Sequence, residues 1–513
     1  MSPFLAAFTR VPDLLAQHLL LAASALVLGM AISLPLAVWS ARRPAVARAA
    51  LGVASLIQTI PSLALLALFY PVLLSISALV GGGIPALGFL PAMLALTLYA
   101  LLPILRNGVT GLNGLDPAVI EAADGVGMTG WQKLLLVEAP LVSPVLMAGI
   151  RTAAVWTIGA ATLSTTVGQP SLGDMIFAGL QTQNWALVLA GCVAAAGLAL
   201  AVDALLGVIE HGIAYRKRGR AFAALAILAA GILAALTPML PSRQPTVTIG
   251  AKGFGEQYIL ARLIGHRLEA AGYRVRYKEG LGSAVVFGAL ASGDIDAYVD
   301  YSGTIWTNRM HRIDVPPRAA IVAGVSRWVE ATDGVRLIGA LGFENAYAFA
   351  MRGDDARRRH IHSLDDLVAQ APSLDFGADL EFLERPEWAA VKRAYPLNFR
   401  SARAYNPTFM YRAIESKQAD VISAFSSDGR IAAQHLTVLA DPKNAIPGYD
   451  AILMVAPARR NDSRFIEALT PLIGRIPVDL MRQANYMVDR DTDKRSPDDA
   501  ARWLEARLAD TRP

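Results

Sequence analysis

Residues 116–151 read DPAVIEAADGVGMTGWQKLLLVEAPLVSPVLMAGIR, and the rest of the chain is organised around this stretch. It is the one polar, sharply punctuated segment in an otherwise apolar N-terminal half. Asp116 suits a helix cap and Pro117 a first helical turn. Residues 119–123 predict a short helix, stopped by Gly125 and Gly127. Thr129 and Gln132 stand at capping-box spacing, so a second helix starts there and flows through Pro140 and Pro144 into apolar residues. A helix–turn–helix with a polar tip, set between two membrane spans, is shaped to be pushed by a soluble partner.

Outward from it, the apolar runs set the architecture. The chain has 513 residues, 54% of them hydrophobic and 17% charged, with a net charge of +5. Five apolar segments precede residue 218, at roughly 18–40, 50–75, 87–110, 143–166 and 186–210, each close to the ~20 residues that cross a bilayer. The first lacks a basic leader and is followed by Arg42, Arg43 and Arg48, so it reads as a retained span with its N-terminus outside. Arg106 and Lys133 flank the polar loop, and Arg216, Lys217, Arg218 and Arg220 follow the fifth span. No Lys or Arg occurs over residues 51–105 or 152–215. Every loop on one side is therefore basic and none on the other, which places the polar loop in the cytoplasm. Residues 221–240 form a sixth span running outward. Pro238, Pro241, Ser242 and Pro245 make a linker, and everything beyond it lies outside the cytoplasm. Pro61, Pro71, Pro103 and Gly159 serve as kinks and packing sites, or as gating points. Asp203 reads either as a satisfied carboxylate or as a functional one. The single cysteine, Cys192, is expected to be a buried thiol.

After residue 244 charges return and long apolar runs stop. Residues 246–251 alternate as a strand and 252–257 form a loop. Residues 258–271 are helical, 275–278 a strand, 283–292 a helix and 295–300 a strand. Such alternation predicts a mainly parallel, helix-covered sheet. The length predicts two lobes around a cleft, with the chain crossing near 347–351 and returning near 451–455. The run 357–360 (RRRH) is a solvated face before a helix capped by Ser363. His311, His362 and His435 have no metal-ligand spacing, and no nucleophile set stands out, so neither an enzyme, a metal nor a cofactor is expected. The basic balance needs no nucleic acid. Aromatics beside small polar turns, DYSGTIW (300–306), ENAYAFAM (344–351), NPTFMYRAI (406–414) and SAFSSDG (423–429), are open to two readings. They pack the lobes, or they cage a methylated ammonium, which ring faces attract.

The residues also carry a resemblance. Glu121-Ala122-Ala123, Gly127 and the Ala139-Pro140 region resemble the "EAA" loop of ABC importer permeases, with Asp124 where Arg is more usual. IQTIPSLALLALFYPVL (57–73) and residues 127–153 are similar to the betaine, choline and carnitine osmoprotectant group. KGFGEQY (252–258), DYSGT (300–304), EFLER (381–385) and FSSDG (425–429) resemble motifs of osmoprotectant-binding proteins. The departures are Gly255, Phe425 and the Pro386-Glu387-Trp388 run. The resemblance implies a type I ABC permease core of five spans (1–218), an extra span and linker (219–244), and a two-lobed type II periplasmic-binding-protein domain (245–513). It implies a bacterial inner-membrane importer subunit for glycine betaine, choline or carnitine, or for ergothioneine, delivered by a fused binding domain. Glu121, Ala122, Ala123 and Gly127 would dock a separate ATPase, since the chain has no G-x-x-x-x-G-K-[ST] loop. Two copies of the chain would pair in the lipid. Tyr301, Tyr347, Tyr411 and Phe425 would form the cage, and Lys252, Gln257, Thr304, Asn345 and Arg385 would make polar contacts, Arg385 holding a ligand carboxylate. A membrane receptor that senses the same ligand is the distant alternative; it would need a cytoplasmic output module.

Overall fold

In the computed structural model the residues described are 3–9, 11–81, 83–181, 184–215, 217–236, 245–405, 407–490 and 492–510. The chain separates into two compact units, one of residues 1–177 and 186–241, the other of 178–185 and 242–513.

The first unit is helical. Among the described residues, six of its helical stretches are long and apolar enough to cross a membrane, starting at Val11, Ser62, Phe89, Gly130, Trp185 and Arg218. The packing centre is helix α1 (Val11–Arg42) against helix α4 (Phe89–Asn113). Small residues permit this approach. A Cβ on Gly29 would sit 2.9 Å from that of Ala100, and one on Gly108 would sit 2.8 Å from that of Ala37. Lipid supplies no hydrophobic drive between spans, so such close backbone contact has to supply the attraction. The expected second span, 50–75, is two helices, α2 (Pro44–Thr59) and α3 (Ser62–Leu79). The break falls at Ile60, which precedes Pro61 and is held extended, as pre-proline sterics require. The sixth expected span is helical to Leu236. Its last residues and most of the linker, 237–244, lie outside the described residues.

The polar loop folds as two short helices, α5 (Pro117–Gly125) and α6 (Gly130–Lys133). Asp116 caps the first by accepting from the Ala118 N–H at 2.9 Å, and Thr129 and Gln132 form the full capping box. Gly127 turns the chain at φ +79°. Beyond Lys133 the backbone makes a π-helical turn, Leu134–Glu138, before entering α7 (Ala139–Ala161). Pro140 has no N–H to continue the regular ladder, and the slipped turn absorbs that loss. Pro144 lies farther along, and the Ser143 hydroxyl donates to the Pro140 carbonyl at 2.9 Å.

Asp203 proves to be a partnered carboxylate. Arg151 of α7 donates to both its oxygens at 2.9 Å and to Glu210 at 2.8 Å, tying α7 to α8 (Trp185–Ala214). Cys192 corrects the expectation of a buried thiol: it is exposed on α8. In a span the outward face is also apolar, so an apolar run does not by itself imply burial within the protein.

The second unit holds two five-stranded sheets. The first has the order β2 (Arg274–Leu281), β1 (Thr246–Lys252), β3 (Ala297–Tyr301), β10 (Asp450–Val455), β4 (Arg336–Glu344). The second has the order β7 (Ser401–Tyr405), β6 (Asp375–Asp379), β8 (Val421–Phe425), β5 (Tyr347–Arg352), β9 (Leu436–Val438). The chain crosses between sheets at residues 345–346, and returns between β9 and β10, as the expected crossing regions required. The sheets are mixed rather than mainly parallel. β1 is parallel to β2 and β3, and β6 to β7 and β8, but β10 and β5 run antiparallel to their neighbours. Each of these strands enters from the other lobe and so arrives in the opposite sense. Helix α9 (Gly255–Ala270) starts three residues before the expected 258 and buries Glu256 and Gln257 in its first turn.

Candidate functional site

The strand ends bring the aromatic side chains together where the lobes meet. Tyr301 ends β3, Tyr347 begins β5 and Phe425 ends β8. Phe254, in the turn after β1, links them. Its ring centroid is 6.3 Å from that of Tyr301 and 6.4 Å from that of Phe425, and it lies within 5° of parallel to the latter. Tyr347 lies 5.2 Å from Phe425 and 5.9 Å edge-on from Tyr449. Tyr411 is placed differently. It is buried with Met410, Ile414 and Ile422 in the second lobe's core, Arg430 stands 4.0 Å over its ring, and its hydroxyl accepts from the Phe425 N–H at 3.3 Å. It buttresses Phe425 from behind.

The polar residues fall into two sets. One surrounds Glu256, which is buried and whose carboxyl pKa burial pushes upward. The Tyr301 hydroxyl donates to Glu256 at 2.6 Å, Asn345 at 3.0 Å and Asn485 at 2.7 Å, while Gln257 donates to the Tyr301 oxygen at 3.0 Å. Lys252 stands beside this set, 5.3 Å from the Tyr301 ring centre, and its ammonium donates to the buried Asp300 carboxylate. That cation already has a partner.

The other set lines a cleft of about 940 Å³ shared by Asp300, Thr304, Glu381 and Arg385. Arg385 is nearly buried, pairs with Glu381 at 2.6 Å and Glu387 at 3.7 Å, and stands 5.4 Å over Tyr347. Burial opposes its charge, yet these neighbours outweigh that and raise its pKa above the ordinary range. Its Nε is buried and has no hydrogen-bond partner among the described residues. A buried donor without an acceptor costs about 1–3 kcal/mol.

Arg385 lines this cleft, whereas Phe254 and Phe425 line a cavity of about 50 Å³ and Tyr347 a third; a guanidinium suits an oxyanion and ring faces a methylated cation. Each ring contributes roughly 0.5–2 kcal/mol toward such a cation. Phe254, Glu256, Tyr449 and Asn485 were not singled out from sequence. Phe254 and Glu256 sit inside KGFGEQY, but a glutamate in a first helical turn ordinarily faces solvent toward the helix dipole. Asn485 meets Glu256 from 229 residues away, and no local pattern encodes that meeting.

In the helical unit, Glu121, Ala122 and Gly127 are exposed on the loop and Ala123 is buried beneath them. Lys133 donates to both Asp124 oxygens, at 2.7 and 2.9 Å, clasping the two short helices together. Val126 and Trp131 stand 74% and 69% exposed beside them, an apolar tip flanking a carboxylate.

Comparison with known proteins agrees with both halves. Residues 245–506 match the substrate binding domain of ABC-type glycine betaine transport systems, and residues 33–215 match the inner membrane component of binding-protein-dependent transport systems. Over 480 residues, 89% of this chain and 83% of its counterpart, the sequence is 29% identical to the ergothioneine transport permease/ergothioneine binding protein of Helicobacter pylori (strain G27). Over 195 residues, 38% of this chain and 84% of its counterpart, it is 44% identical to a carnitine transport permease protein of Listeria monocytogenes. A crystal structure of a glycine betaine/carnitine/choline ABC transporter is 24% identical and covers 51% of this chain and 98% of its own, with a TM-score of 0.46.

Proposed function

Since the chain belongs to the family of substrate-binding domains of ABC-type glycine betaine transport systems, fused to the inner-membrane component of such a system, we propose that it captures a methylated-ammonium solute outside the cytoplasm and passes it through its own membrane half. The chain is a multi-pass inner-membrane protein of the transporter class. In this reading residues 1–218 are the permease, 219–244 the extra span and linker, and 245–513 the binding domain. The observation that carries the reading is the ring set of Phe254, Tyr301, Tyr347 and Phe425 at the meeting of two lobes, with Arg385 standing over Tyr347. Rings hold the ammonium, which has no strong hydrogen-bond donors, and Arg385 holds a carboxylate. Thr304, Asn345 and Gln257 orient the ligand, Lys252 sets the charge at the floor, and Tyr411 backs Phe425.

Glu121, Ala122, Ala123 and Gly127 present the loop to a separate ATPase subunit, and two chains pair to enclose one translocation path. Calorimetric titration of the full chain with glycine betaine, choline and carnitine tests the ligand class. Saturable heats for one or more support it, and silence across methylated ammonium compounds overturns it. Ergothioneine, a betaine with a thio-imidazole ring, is the second reading, favoured because the relative named for it aligns along both halves of the chain.

A further inference from the structure

Arg151 stands inside the membrane-spanning part of the chain with all three guanidinium nitrogens engaged. Nε and one Nη donate to the two Asp203 oxygens at 2.9 Å each, and the other Nη donates to Glu210 at 2.8 Å. Gly207 lies between the two acids on α8, where a Cβ would sit 3.4 Å from the guanidinium carbon and anything longer would displace the planar group. Arg151 also shares one unbroken helical stretch with the polar loop: residues 130–167 run from the Thr129 cap through the π turn and α7. It lies roughly 18 Å along the axis from the start of α7, and Asp203 lies roughly 16 Å from the end of α8, deep in a hydrocarbon layer about 30 Å thick. Charges at that depth are expensive to part. Apolar contacts let one span slide or turn on another. A planar guanidinium gripped by both oxygens of one acid, and by a second acid two helical turns away, resists both motions.

We propose that Arg151 is the positioning residue that carries movement of the polar loop into the fifth span. A push on residues 117–133 moves α7 as a lever, and α8 follows through Asp203 and Glu210. The proposal rests on the importer reading and adds how its drive reaches the translocation path. It touches neither capture nor the ATPase: Arg151 acts through the two acids alone.

Uptake of labelled glycine betaine, choline, carnitine and ergothioneine into cells holding the full chain and its ATPase subunit tests this. The first variant combines Arg151→Met, Asp203→Asn and Glu210→Gln. Removing every partner strands no charge, so this triple variant should accumulate in the membrane as wild type does. Its maximal uptake rate per molecule should fall about tenfold or more, with KM within about twofold, because capture is untouched. ATP hydrolysis in membrane vesicles should continue while transport fails, a split that loss of folded protein would not produce. The second variant, Gly207→Leu, keeps all three charges and crowds the guanidinium off its seat; it should show the same split, and it decides the matter if the triple variant does not accumulate. Wild-type uptake per molecule in the variants overturns the link and leaves the importer reading standing. So does a fall in uptake matched by an equal fall in ATP hydrolysis, which would make the ion cluster structural only. If the unaltered chain takes up none of the four solutes, the importer reading falls and the link with it.

Discussion

Tyr301 offers its ring to Phe254 and its hydroxyl to Glu256 and Gln257, and substitution can separate these roles. Tyr301→Phe keeps the ring and leaves Glu256 short of one donor. A buried polar group so stranded costs about 1–3 kcal/mol, so denaturant unfolding should show that loss while ligand affinity falls modestly. Tyr301→Ala also removes the ring, and calorimetry should then show affinity at least about tenfold weaker. Arg385 separates ligands instead of roles. Arg385→Ala should weaken glycine betaine by roughly tenfold or more and leave choline, which has no carboxylate, within a few-fold. Equal losses for both would mean that Arg385 only neutralises Glu381 and Glu387. Asp489 gives a pH signature. Burial, with Asp428 and Glu256 nearby, pushes its carboxyl from 3.8 up to about 6 against the pull of Arg430 and Lys494. The folded chain therefore keeps a proton in that window that the unfolded chain releases. This group's stabilisation is complete below the unfolded value and is lost as pH rises through the folded one. Asp489→Asn should show a melting temperature that gains on wild type as pH climbs from 3.8 to about 6, and no such divergence would argue against a raised carboxyl.

The helix–turn–helix of α5 and α6 was legible because its signals are local. Asp116, Pro117, Gly127 and the Thr129–Gln132 pair each act within four residues, and each holds in the structure. The π turn before Pro140 and the break at Ile60 were not read, although their cause, a proline without an N–H or before a crowded neighbour, was in plain view. Propensity locates a proline, but packing chooses whether the helix slips, breaks or continues. The sheets show the same limit. The first three strands were read from the sequence, whereas the sense of β5 and β10 depends on which lobe each strand enters from. Likewise the aromatic residues at strand ends could be named, but Asn485 could not, since its partner is set by tertiary folding. At the loop, the exposed Asp124–Lys133 clasp is worth about 1 kcal/mol at most, so Asp124→Ala should scarcely change the melting temperature. Glu121 stands exposed on the same tip. Glu121→Arg in the full chain should abolish uptake into cells while calorimetry finds ligand affinity unchanged. Undiminished uptake in that variant would remove the docking role from this loop.

The whole molecule depends on which side of the membrane each half faces. Basic residues follow the first, third and fifth spans and are missing from the loops between the others, a bias that fixes orientation during insertion. A binding domain on the outer side and a polar loop on the inner side are what an importer requires, for capture must happen where solute is scarce and drive must come from where ATP is. In the proposed function, fusing capture to passage would make their encounter intramolecular, so that delivery would be governed by the tether and not by the abundance of a free binding protein. The sequence offers a clean probe of this geography, because Cys192 is its single thiol. In a Cys192→Ser background, Gly125→Cys places a label at the loop and Ser292→Cys one on the α/β unit, both at exposed positions. A membrane-impermeant maleimide added to spheroplasts should modify the second and spare the first, and inverted vesicles should reverse the pattern. Labelling of both positions from the same side would break the link between capture and drive, and with it the assignment of the chain as an importer that carries its own receptor.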